Sequence, residues 1–164
     1  MEKQIIKQEI NLETLQPMVE ENLLNDGHLC PILFICSREG ATVSDITKYM
    51  EDDEAKDAFV DWLITTVQEE HAHKIILIAE CWMYAAPEEM PGDEVEALIK
   101  MGRHRDFERV ESYQILSFTR ESINAVIRKF TREDDKIVFG EVMDVAKLTL
   151  DRFEPVQHYL EQIN

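Results

Sequence analysis

The chain has 164 residues, 45% of them hydrophobic and 31% charged, enough to bury one core over residues 1–164 without help from metal or disulfides. Its formal net charge of -17 repels nucleic-acid backbones and anionic membrane surfaces, which argues against general nucleic-acid binding and against a membrane partner. Cys30, Cys36 and Cys81 are an odd set inside apolar runs, as reduced cytoplasmic thiols are, and no apolar segment reaches the roughly 18 residues that span a bilayer.

In chain order, "NLETLQPMVEENLLNDG" carries Leu12, Leu15, Val19 and Leu23 at spacings of three and four. This predicts an amphipathic helix with Asn11 as N-cap and Gly27 as stop. "HLCPILFICS" is an apolar run of strand length in which Pro31, lacking a donor, belongs at the start or on an exposed edge. "SREGATVSD" reads as a turn, with room for a short extra strand after Ser37. In "DDEAKDAFVDWLITTVQEEHAH", Ala55, Ala58, Phe59, Trp62, Leu63, Thr66 and Val67 form one apolar stripe, with Asp52 or Asp53 as cap. "KIILIAECWMYAA", Lys74 to Ala86, supplies a second strand. Two strands separated by one helix predict a right-handed βαβ unit with parallel strands.

Residues 85–107 hold two prolines, two glycines and mixed charges around a short helix near Val95 to Met101, the composition either of a functional loop or lid or of a disordered insertion. "VESYQILSF", "INAVIRKF" and "KIVFGEVM" then predict an antiparallel meander. "DRFEPVQHYLEQIN" reads as a closing helix with Pro155 in its first turn. The expected fold is α/β (α+β): a single-domain mixed sheet of five strands, one βαβ unit followed by a meander, packed by helices.

Glu80 is the most informative residue. In a strand it shares a face with Ile76, Ile78, Trp82 and Tyr84, while Leu77, Ala79, Cys81 and Met83 face the other way. A carboxylate among aromatics needs a cation, a donor or a proton. Its place late in a parallel strand is where open sheets gather ligands. Lys100, Arg103, Arg105 and Arg109 form a basic island from which an arginine fork could reach it. Arg103 and Arg109 could instead clamp a small anion, with Trp82 and Tyr84 lining the site. Asp106, Arg109 and Glu111 fit either a divalent ion or a closed salt-bridge network. His71 and His73 in "EEHAHK" are a weaker metal pair, since cations there also complement a helix C-terminus. No cofactor motif is present, so no cofactor is expected.

"AECWM" and "DFERVE" resemble a family of uncharacterised bacterial and phage proteins with a strand ending in Glu-x-Trp and a loop closing in Asp-x-x-Arg-x-Glu before a meander. Glu80 and Trp82 match the first element, and Asp106, Arg109 and Glu111 the second. Phe107 stands where the pattern has proline. The resemblance runs from about His28 to Val142 and implies no activity.

Two functions are consistent with these residues. One is a binding or regulatory protein without catalysis, working with a protein partner or as a homodimer through a sheet edge or helix face. The other is a metal-dependent hydrolase or nuclease-like enzyme using Glu80, Asp106 and Glu111, with Arg109 stabilising negative charge.

Overall fold

In the computed structural model, which describes residues 5–87 and 89–143, Asn11 caps the first helix, α1 (Leu12–Asp26). Its side chain accepts the Thr14 N–H at 2.9 Å, and Thr14 Oγ1 lies 3.4 Å from the Asn11 N–H, so two orphan donors are satisfied. The helix stops at Gly27, whose φ of 76 is a left-handed turn that costs glycine little and whose N–H reaches Leu23 O at 2.9 Å. The second helix, α2 (Asp53–Glu70), starts on Asp52, whose carboxylate accepts the Ala55 N–H at 2.7 Å. It ends where His71 turns left-handed at φ 52. A third, short helix, α3 (Gly92–Lys100), and a 3-10 turn at Arg103–Asp106 lie inside the long connection. The closing helix expected over 151–164 lies outside the described residues.

Seven strands form one sheet among the described residues: β1 (Ile5–Ile6), β2 (Ile32–Ser37), β3 (Gly40–Asp45), β4 (Lys74–Ala85), β5 (Glu108–Thr119), β6 (Ile123–Glu133) and β7 (Lys136–Met143). Their order is β1-β3-β2-β4-β5-β6-β7, and every registered pair is antiparallel. The expected meander is β5, β6 and β7. The expected five-stranded sheet and parallel βαβ unit are corrected. The extra strand for which the turn left room is β3, a hairpin return from β2 with Ser37 opposite Gly40. It reverses the chain before α2, so β4 enters antiparallel to β2, with Ile32 opposite Ile78.

The misreading has a physical cause. Continuous apolar strands mark sheets covered on both faces, which are usually parallel. Here an antiparallel sheet is covered on both faces. Leu15, Val19 and Leu23 of α1 cluster with Phe34, Ile76, Ile78, Tyr113, Ile115 and Phe130. Phe59, Leu63 and Val67 of α2 cluster with Leu33, Ile35, Ile75, Leu77, Leu116 and Phe118. Adjacent Ile75 and Ile76 are therefore both 0% exposed, one in each core.

A polar tie joins α1 to the sheet. Glu20 Oε1 accepts from Tyr113 Oη at 2.6 Å and from Arg128 Nη1 at 2.7 Å, and Arg128 Nε donates to Gly140 O at 2.7 Å. One carboxylate thus holds residues of β5 and β6, and through Arg128 also β7.

Candidate functional site

Pro31 sits just before β2, where its carbonyl accepts the Ile46 N–H at 3.1 Å and its missing donor costs no ladder bond. The β2–β4 ladder ends at Ile32 opposite Ile78, whereas β4 continues in unbroken register with β5 to Ala85 opposite Glu108. β6 leaves β5 at Lys129 opposite Ser112. The far halves of β4 and β5 therefore project as a two-stranded ribbon. Among the described residues, no strand pairs with residues 79–83 on the side that β2 has vacated.

Glu80 lies at the root of this ribbon and is partly buried. Its Oε1 accepts the Leu29 N–H at 2.6 Å, tying down the chain as it enters β2. The expected fork from Arg109 is not formed. Arg109 stacks its guanidinium 4.4 Å from the ring centre of Trp82, and it stands opposite Tyr84 in the ladder. The argument from the carboxyl end of a parallel strand also lapses, because β4 is antiparallel to both neighbours.

The other site candidates are engaged separately. Asp106 pairs with Arg103 at 3.3 Å, both exposed, so Arg103 and Arg109 do not act on one common partner. Glu111 pairs with Arg132 at 3.1 Å, and Arg132 Nη1 donates to Gly27 O at 2.6 Å. The expected network of Asp106, Arg109 and Glu111 is thus replaced by links to different elements. His71 closes α2, and the His73 N–H donates to Cys36 O at 2.9 Å; both side chains are exposed. No group of three or more His, Cys, Asp or Glu side chains placed for a metal ion occurs among the described residues.

On the α2 side, beside the entry of Leu29 and Pro31 into β2, lies a cleft of ≈ 710 Å³, within the size range of small-ligand sites. Leu77, Ala79 and Cys81 of β4 and Phe59 and Met50 form much of its apolar wall, with Glu51, Lys56, Glu80 and Gln114 as polar points. The Cys81 thiol is pushed up to about 11 by burial and by the Glu80 charge beside it, so it is protonated and a poor nucleophile near neutral pH. Trp82 spans both surfaces: it borders the cleft, carries Arg109 on its ring and is 53% exposed.

Sequence reasoning reaches Glu80 and Trp82 through strand alternation, while Tyr84, named with them, does not line the cleft. It misses Met50, Lys56, Phe59 and Gln114, which come from three separate segments and share no local pattern. Comparison with protein-family models, with curated proteins and with solved structures finds no match.

Proposed function

We propose that this chain is a binding or regulatory protein without catalysis, which engages its ligand or partner at the projecting half of β4 and the cleft beside it. The observation that carries this reading is the overhang: among the described residues β4 has no strand partner on the β2 side beyond Ile78, and an apolar cavity bordered by an exposed Trp82 lies beside it. Exposed aromatics beside a concave apolar surface are typical of recognition sites. The hydrolase alternative has less support, because Glu80, Asp106 and Glu111 bond respectively to Leu29, Arg103 and Arg132.

The test is binding of Nile red, a neutral apolar fluorophore, to the native protein. The reading expects fluorescence enhancement that is lost in both Cys81→Arg and Met50→Arg while their circular dichroism stays native. Equal enhancement in both variants would overturn it. So would a rise in melting temperature with magnesium, manganese or zinc that Glu80→Gln, Asp106→Asn and Glu111→Gln each abolish, because that pattern belongs to a metal enzyme.

A further inference from the structure

We infer that the end of the sheet where β4 begins holds a second site, which takes a phosphate group, free or carried by a small molecule, between Lys7, Arg38 and Lys74. It lies at the opposite end of β4 from the cleft and does not depend on what the cleft binds.

Three stretches of chain converge there. Ser37 stands opposite Gly40, so Arg38 and Glu39 form the two-residue turn between β2 and β3. Ile6 stands opposite Ala41, so the chain leaving β1 passes that turn on its way to the cap of α1. The chain leaving α2 at His71 enters β4 at Lys74, which stands opposite Cys36. The concavity bounded by these stretches measures ≈ 500 Å³, within the range of small-molecule sites. Each stretch sends a cation to its wall: Lys7 from the first, Arg38 from the turn and Lys74 from the start of β4, with His73 beside it.

The donors of these cations are largely unspent. Lys74 is half-buried, and its ammonium donates to Ile10 O at 2.5 Å, among the described residues its one acceptor for three donors. Among the same residues, exposed Lys7 and Arg38 have neither an acceptor nor an ion pair, although a guanidinium offers five donors. A half-buried ammonium gains most from an acceptor that meets its remaining donors.

Charge selects the acceptor. Two carboxylates, Glu9 and Glu39, share the wall with the three full cations, but neither forms an ion pair with them. In a chain of net charge -17 this is a local excess of positive charge. Acidic groups elsewhere are screened beyond about 8 Å at physiological salt, so the nearby cations govern what enters. A phosphate group brings close to two negative charges and three acceptor oxygens, enough to engage all three cations at once, and its geometry matches the arginine fork.

The experiment titrates the full chain with inorganic phosphate, ribose 5-phosphate, ribose, and chloride at matched ionic strength, reading amide NMR shifts. Saturable shifts at residues 7–10, 37–40 and 73–74 are expected with both phosphates and with neither control; whichever phosphate binds more tightly identifies the source of the group. Arg38→Gln and Lys7→Gln are each expected to weaken binding about tenfold, the loss of one charged hydrogen bond. Glu39→Gln should tighten it, a gain that a damaged fold does not produce. Shifts that fail to saturate, equal shifts with chloride, or an affinity unchanged in both Arg38→Gln and Lys7→Gln would overturn the inference.

Discussion

Glu80 ties an incoming chain to the sheet through Leu29, and that bond makes its role measurable. Glu80→Ala removes a charged acceptor from a partly buried N–H and is expected to lower stability by about 1.5 kcal/mol in urea unfolding, with a smaller loss for Glu80→Gln, which keeps an acceptor. The alternation of the strand was enough to show that this carboxylate needs a partner. It was not enough to name one, because the donor is a backbone N–H 51 positions away, and backbone donors leave no mark in a sequence. The three thiols can be told apart on similar grounds. Cys30 is exposed, Cys36 is buried and raised by that burial, and Cys81 is raised to about 11 by burial and by Glu80. Ellman's reagent at about pH 8 is therefore expected to titrate one fast thiol in the native protein, lost in Cys30→Ser, and all three after unfolding.

Among the elements, β3 is the one most easily missed and the one that decides the topology. "GATVSD" is short and begins with a glycine, and its burial alternates only partly, so turn chemistry hides strand chemistry. The helices were legible because their caps and stripes are local: Asn11, Gly27 and Asp52 all serve where their chemistry suggests. Gly40 shows why the hairpin needs its glycine. Its φ is 133, and a Cβ there would lie 2.5 Å from Ile6 O, against the neighbouring strand β1. Gly40→Ala is expected to cost more than about 1 kcal/mol in thermal or urea unfolding and to increase amide exchange at Ile6 first.

At the scale of the molecule, two cores lie on opposite faces of one sheet, and the α1 side is tied to the sheet by Glu20, Tyr113 and Arg128. Burial pushes the Glu20 carboxyl up, but hydrogen bonds from Tyr113 and Arg128, the Arg128 charge and a bond from Gln16 outweigh it and leave the carboxyl below its ordinary range. A lowered carboxyl stabilises the fold at pH values above the ordinary carboxylate range, and this stability drains as pH falls through the depressed folded value. Melting temperature should therefore drop on acidification, and the drop should be shallower in Glu20→Gln, which has no carboxylate to protonate. The tie was not legible in the sequence, since its members are 93 and 108 positions apart. That helices pack on a sheet was legible, because composition and local periodicity carry that much, while strand order depends on contacts between distant segments.

The ribbon of β4 and β5 is the part of the sheet whose length the two cores do not fix. Pairing has period two, so inserting two residues into each strand beyond Cys81 and before Ser112 would keep every side chain on its own face. Each such step would carry the connection holding α3 farther from the cores by about 7 Å, at ~3.3 Å per residue. Reach is thus an adjustable dimension of this fold, open to variation by paired insertions without repacking either core.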